Sequence, residues 1–356
     1  MRVRLLMVVA TVSCAAACVQ DEPVPEGLSD QQIIVDFADQ VVVPTYSLLA
    51  TRIDDLDDAA RALAAAPNSG GLDAAQQAWI EARRPWEQSE GFLFGPVDTF
   101  GYDPAMDSWP VNRTDLDLVL ASDATFTPEY VANLQETQKG FHTVEYLVFG
   151  VDRGKTAADL TARELEYLTA LTAELAITAH ALAASWTESV DGMPPYRDLL
   201  ATAGDADNTA YPSLTAAAQE ILDGIIGICD EVANGKIAEP YDAHDAALVE
   251  SQFAFNSIAD FQDNLRSVQN AYLGSVPLAT TSGRGLSSYV AGLDAALDGR
   301  VQSEIDAAIA AIGAIPAPFR DAISSPEAYD EIEAAQAAVR QLQTTFEGEV
   351  QPLVLR

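Results

Sequence analysis

The sequence predicts an all-α protein made of two packed helical bundles. Three observations carry that expectation. Hydrophobic residues fill 49% of the 356 positions, and Ala-rich stretches run long without Gly or Pro, as long helices require. Apolar side chains return at three- and four-residue steps, most clearly through Leu165, Leu168, Leu171, Leu175, Leu182 and Trp186, the stripe of a bundle-facing helix. No strand-like alternation persists anywhere. Turn signals over 190–212, with Gly192, two prolines and the 204–208 run, divide the chain into halves at 29–190 and 191–356.

The first eighteen residues read as a targeting segment. Arg2 and Arg4 precede a short apolar core, and Ala15-Ala16-Ala17 ends at Cys18. The pattern is that of a lipoprotein signal, with Cys18 as the lipidated residue and Val19 after it favouring the outer membrane. Cys14 is a weaker competing site, and an ordinary secretory signal cut near Ala17 is the alternative. Residues 19–28, rich in Pro and acids, read as a tether. No other uncharged apolar stretch approaches membrane-spanning length, so the membrane is expected to be a partner through the lipid anchor only.

Helices follow in order. One starts near Ser29 or Asp30 and runs to about 66 with a kink expected at Pro44. Its Asp54, Asp55, Asp57 and Asp58 read as a solvated face. Pro67 to Gly71 breaks the chain, and a second helix spans about 72–92. Trp79, Arg83, Trp86 and Glu90 share one of its faces. Residues 95–113 form a long irregular connection carrying Asp98, Asp103 and Asp107. Short helices at 114–121 and 128–138 lead to a helix over 140–150, and a long one covers 157–189. The second half repeats the theme at 221–232, 245–273, 285–297, 301–315 and 326–353. Glu250 to Phe255 echoes Ser89 to Phe94, as an internal duplication would leave.

Charge and cysteine content exclude several functions. The chain holds 19 basic and 54 acidic residues, a net charge of −35; removing Arg2 and Arg4 leaves 17 against 54, or −37. No basic patch exists to neutralise phosphates, so nucleic acid is not a partner. Cations, by contrast, are concentrated near such a surface. With Cys18 as anchor, Cys229 is the one remaining thiol and reads as a small core residue.

The chemistry concentrates at Gly140-x-His142-x-x-Glu145. A three-residue step places imidazole and carboxylate on adjoining turns of one helix, able to converge on one cation. The spacing alone is common, and a buried His–Glu hydrogen bond is its more frequent meaning. It keeps distinctive company: Trp79-x3-Arg83-Arg84-Pro85-Trp86-x2-Ser89-Glu90, then Asp107-Ser108-Trp109-Pro110, then Glu250-Ser251-Gln252, Asn264 and Tyr272-Leu273-Gly274. In this order and spacing the set resembles the imelysin family, grouped with metallopeptidases of the bacterial envelope, over nearly all of the mature chain.

His142, Glu145, Glu90 and Asp107 are therefore the expected metal ligands, since one His and one Glu cannot close a cation site. Arg83, Arg84, Trp86 and Tyr146 are expected in supporting roles around them, with Glu250 a weaker candidate ligand. One imidazole among carboxylates is hard coordination, suited to iron, manganese or calcium; the resemblance to iron-regulated envelope proteins points to iron, with zinc kept open. The HExxH arrangement, with two His one turn apart, is absent, as is G-x-S-x-G. The expected function is an envelope lipoprotein, at the outer membrane facing the periplasm or the cell surface. It would bind a metal cation for uptake or storage, with envelope metal-uptake proteins as partners and no catalytic step. A metallopeptidase is the alternative. A polysaccharide- or protein-binding module using Trp79, Trp86 and Trp109 is the third reading. A metal-free ion-pair network of the same residues is the competing expectation for the site.

Overall fold

Eight long helices and a set of short turns make up the protein, seen in a computed structural model that describes residues 27–356. The signal segment, Cys14, Cys18 and the tether up to residue 26 lie outside the described residues. The last two tether positions belong to the fold: Leu28 is buried, its N–H donates to the Val354 carbonyl (2.8 Å), and the Tyr289 hydroxyl donates to the Gly27 carbonyl. The strands among the described residues are two-residue pieces, Ser275–Val276 against Thr281–Ser282.

Helix α1, Gln31–Ala65, starts at an Asp30 cap and passes Pro44 without breaking. Pro44 has no N–H for the Gln40 carbonyl four residues back. A π-helical stretch, Phe37–Val42, absorbs the misfit, and the Thr281 hydroxyl donates to the Gln40 carbonyl instead. Asn68 caps α2, Ser69–Glu87, which a 3₁₀ turn at Glu90–Phe92 follows. Then come α3, Gly140–Phe149, and α4, Ala162–Thr187, the latter opened by a Thr161/Glu164 capping box. Helices α1 and α4 are apolar and long enough by composition to cross a membrane, with 56% of each apolar window buried inside the protein. They pack against each other, α1 also against α2 and α4 against α3.

In the second half, α5, Leu214–Asp230, continues through a π-helical stretch, Glu231–Ile237. Helices α6, Ser257–Leu273, α7, Ala295–Ala314, and α8, Tyr329–Thr345, complete the group, in which α5–α6, α6–α7, α7–α8 and α5–α8 are neighbours. Residues 245–256 are turns rather than helix, because His244, Ser251 and Phe255 hold positive φ, which stops helical propagation. Residues 128–138 likewise split into Pro128–Ala132 and a 3₁₀ turn at Glu136–Gln138. Asp57 departs from the solvated face expected of its run: it is buried, accepting from Thr172 Oγ1 and paired with Arg61.

The two groups meet where α2 and the Glu90–Phe92 turn pack on α5 and α6. Backbone approaches backbone there: a Cβ on Gly224 would sit 2.3 Å from the Gly91 carbonyl oxygen, while the Gly91 N–H donates to Ser267 Oγ. Gly224→Ala is expected to destabilise the protein by about 1–3 kcal/mol through this clash. Gly227→Ala, one turn on with nothing within 4 Å, is expected to stabilise α5 slightly. Thermal unfolding of the two variants checks the pair, and equal melting points would refute the seam.

Candidate metal centre

The seam between α2 and α6 holds the main cluster of buried charged residues. Arg83 and Glu87 lie one turn apart on α2, and both are completely buried. Asp107 ends a short helix, Tyr102–Asp107. It is pressed inward by the first turn of α3, where Gly140 has φ +76° and a Cβ would lie 2.2 Å from the Met106 carbonyl oxygen. That contact explains the glycine of the Gly-x-His-x-x-Glu segment: any side chain would push Asp107 away from His142.

Arg83 is the hub. Its guanidinium pairs with Asp107 and Glu87, donates to Glu250 Oε1 at 2.8 Å and lies 3.9 Å from Asp260 Oδ2. Its faces are covered by Trp79 and Phe141, with ring centroids 5.8 and 5.1 Å away. The Trp86 indole donates to Asp107 Oδ2 (2.6 Å), and Asn264 Nδ2 donates to Glu87 Oε2 (2.5 Å). Lys236, from the π-helical stretch after α5, places Nζ 3.1 Å from Glu250 Oε2 and 3.7 Å from both Glu87 and Glu90.

His142 faces two ways. Nδ1 lies 2.9 Å from Glu145 Oε2, and Glu145 Oε1 accepts the backbone N–H groups of Phe253 and Ala254 at 2.8 and 2.7 Å. These donors come from the turn between Ser251 and Phe255, both at positive φ. The other nitrogen, Nε2, is 3.2 Å from Asp107 Oδ1 and 4.0 Å from Glu250 Oε1, yet has no hydrogen-bond partner; nor does Glu250 Oε2. Asp107, His142 and Glu250 each offer a ligand atom within 4.8 Å of the others, and so do Glu87, Glu90 and Asp107.

Six carboxyl groups, those of Glu87, Glu90, Asp107, Glu145, Glu250 and Asp260, are buried beside two permanent cations, Arg83 and Lys236. The imbalance appears in their acidities. Burial raises Glu87 and Glu90 well above the ordinary range despite Arg83 and Lys236, and raises Asp260 to about 7. Burial would lower His142, but Asp107 and Glu145 raise it to about 10. Asp107 is held below the usual carboxylate range because Arg83 and His142 outweigh its burial.

The imelysin family model, Peptidase_M75, matches residues 42–346, a span containing every one of these groups. The chain belongs to the imelysin family. It is 33% identical over 329 residues to the iron-regulated protein A of Synechococcus elongatus, covering 92% of this chain and 88% of that one. The crystal structure of a protein from Parabacteroides distasonis, provisionally named an iron-regulated protein A precursor, superposes with a TM-score of 0.81 at 27% identity. The match covers 91% of this chain and 94% of that one. An imelysin-like protein from Psychrobacter arcticum shares the fold, with a TM-score of 0.71 at 14% identity over 93% of this chain and 98% of that one.

Within this imelysin-family fold the expected ligands separate. Asp107 and His142 come together. Glu145 sits on the far side of His142, where it orients the ring. Glu90 lies towards Lys236 with Glu87 and Asp107. Of the supporting residues, Arg83 and Trp86 touch Asp107 directly. Arg84 turns outward, its side chain 43% exposed near Glu81 and Asp263. Tyr146 packs on Phe253 under the Arg113 guanidinium. Trp79 and Trp86 are completely buried, which removes them as sugar-stacking platforms; Trp109 lines a cavity. His180 and His244 are remote from the centre, bonded to Asp54 and the Ile323 carbonyl.

Glu87, Lys236 and Asp260 were not expected from sequence. The step from Arg83 to Glu87 is the signal that was available for Glu87. The Gly235–Lys236 stretch reads as a break, and nothing local marks the lysine as buried.

These acidities fix how metal-free protein responds to pH. Asp260, about 7 when folded against 3.8 in its ordinary state, contributes stability that is full below pH 4 and lost as pH rises through 7. His142, near 10 against 6.5, contributes stability that is full below 6.5 and lost towards 10. Denaturant unfolding in chelator is expected to show stability falling from pH 5 to pH 8 by at least about 1 kcal/mol. Asp260→Asn should flatten the lower part of that fall.

Proposed function

We propose that this protein binds a metal cation, iron in the first place, between Asp107, His142 and Glu250, in uptake or storage at the cell envelope. One observation carries the reading: two buried ligand atoms, His142 Nε2 and Glu250 Oε2, make no well-aligned hydrogen bond and meet only ion-pair neighbours, Asp107 Oδ1 at 3.2 Å and Lys236 Nζ at 3.1 Å, in a centre where carboxylates outnumber fixed cations. A buried polar atom without a partner is costly, and a cation supplies what both lack. The 3.2 Å between His142 Nε2 and Asp107 Oδ1 suits two neighbouring ligands on one ion with bonds of about 2.1 Å. Glu145 then acts through His142: by accepting from Nδ1 it leaves Nε2 free to ligate, the usual arrangement behind a metal-bound imidazole. Arg83 does not ligate; it aims Asp107 and Glu250.

The donor set of one imidazole and several carboxylate oxygens favours iron or manganese over thiolate-seeking metals, and the names of the Synechococcus and Parabacteroides relatives add iron. A single imidazole also differs from the paired histidines of HExxH zinc peptidases, so binding rather than cleavage is the reading favoured for this centre. Anchoring through Cys18 completes the proposal; fatty-acid labelling of wild type but not of Cys18→Ser would support it, and labelling retained in that variant would move the anchor.

The test of the centre is equilibrium dialysis of chelator-free protein against anaerobic Fe²⁺, with Mn²⁺, Ca²⁺ and Zn²⁺ in parallel. Wild type should bind iron stoichiometrically. His142→Ala and Asp107→Asn should lose binding, and Glu145→Gln should weaken it about 10- to 100-fold. Iron binding that survives His142→Ala unchanged would sink the assignment.

A further inference from the structure

Lys236 is the one group in the centre that a cation site does not need. The chain has three lysines, Lys139, Lys155 and Lys236. Lys139 donates to the Ala132 carbonyl and Lys155 pairs with Glu164 near the surface. Lys236 is 2% exposed, with Nζ 3.1 Å from Glu250 Oε2, 3.7 Å from Glu87 Oε2 and 3.7 Å from Glu90 Oε2. Several carboxylate oxygens converging on one charge is how a hard cation is held. The ammonium holds Glu250, a carboxylate that the proposed ion also needs.

It also has somewhere to go. A cavity of about 220 Å³ opens beside it, lined by Glu90, Asp103, Asp107, Ser108, Trp109 and Glu231. Glu231 carries a half-exposed carboxylate already 3.9 Å from Nζ. Lys236 itself sits in the π-helical stretch Glu231–Ile237, an irregularity found disproportionately at functional sites.

We propose that the Lys236 ammonium is a tethered placeholder, neutralising Glu87, Glu90 and Glu250 while no metal is bound and swinging out to Glu231 and Asp103 when a multivalent cation enters. This rests on the cation reading above and deepens it by naming the internal competitor. The consequence is selectivity by charge. A monovalent ion only replaces one positive charge with another, against an ammonium held at high effective concentration by its own chain. A divalent or trivalent ion brings more charge than it displaces, and the surplus carboxylates reward it.

The test uses full-length protein with ¹⁵N-labelled lysine, which gives three Nζ signals, assigned by Lys139→Arg and Lys155→Arg so that no variant of Lys236 has to fold. In chelator, the Lys236 Nζ signal should be visible and slow to exchange. Stoichiometric Zn²⁺, a diamagnetic probe, should abolish it or move it to the position of a solvated lysine, while Na⁺ in large excess should not. Lys236→Met should bind Zn²⁺ about tenfold more tightly or better. If Zn²⁺ binds wild type and the Lys236 signal stays in place, the placeholder is overturned and the cation site stands. If neither wild type nor Lys236→Met binds any cation, both are overturned. Binding by Lys236→Met alone would establish the lysine as the blocking ion and overturn the native cation site.

Discussion

The buried guanidinium of Arg83 is the interaction on which the rest of the structure depends. From α2, where it also pairs with Glu87, it reaches the 95–113 connection through Asp107 and the second half of the chain through Glu250, in the 245–256 turns, and Asp260 on α6. A guanidinium suits this position because its planar fork serves several carboxylates at once while its faces remain apolar enough to stack between Trp79 and Phe141. Lysine at the same place would satisfy fewer acceptors and lose the stacking. Pairs of this kind are poor sources of stability, since desolvation consumes most of their attraction. Their value lies in position: each carboxylate is held at one angle from one hub.

Around that hub the fold was largely legible in the sequence, and the centre only partly so. Helix α4 was readable because its leucine stripe is local, and Thr161 with Glu164 marks its start. The π-helical stretch before Pro44 was not legible because part of its compensation comes from Thr281, over two hundred residues away. The Glu250 segment was misread as helix because positive φ at Ser251 and Phe255 is a tertiary demand on residues with no special preference for it. Asp107 and His142 were found because both lie in segments with unusual neighbours. Glu145 was expected beside His142 and lies there; what the sequence did not show is that its second oxygen is claimed by two backbone N–H groups of the Phe253 turn, a contact that no spacing rule on α3 encodes. Lys236 was invisible for the same reason, since its burial is created wholly by carboxylates from other elements.

The short echo between Ser89–Phe94 and Glu250–Phe255 acquires a physical meaning here. Both segments form turns rather than helix, and each delivers its glutamate to Lys236. Phe92 and Phe253 anchor them in the core. The two glutamates fall one position apart when Phe92 is aligned with Phe253, yet both turns place a carboxylate from opposite halves of the chain on one charge. That charge therefore sits at the seam, where a change in its position would be felt by α2 and α5 together.

A self-contained ion-pair network would account for the same residues only if it satisfied them. Among the described residues eleven buried side-chain atoms lack a hydrogen-bond partner. Five belong to this one cluster, on Arg83, His142, Glu250, Asp260 and Asn264, with Thr143 and Ser251 beside them. Buried polar groups elsewhere in proteins are paired almost without exception, so orphans gathered at one place mark an incomplete assembly. Protons relieve part of the deficit, since burial raises the pKa of Glu87, Glu90 and Asp260 and so weakens them as acids. A proton on Asp260 leaves His142 Nε2 3.2 Å from Asp107 Oδ1 and 4.0 Å from Glu250 Oε1 without a hydrogen bond. On the cation reading proposed above, the shared demand of an imidazole nitrogen and a carboxylate oxygen is what a metal ion would meet, in competition with the Lys236 ammonium that already holds Glu250.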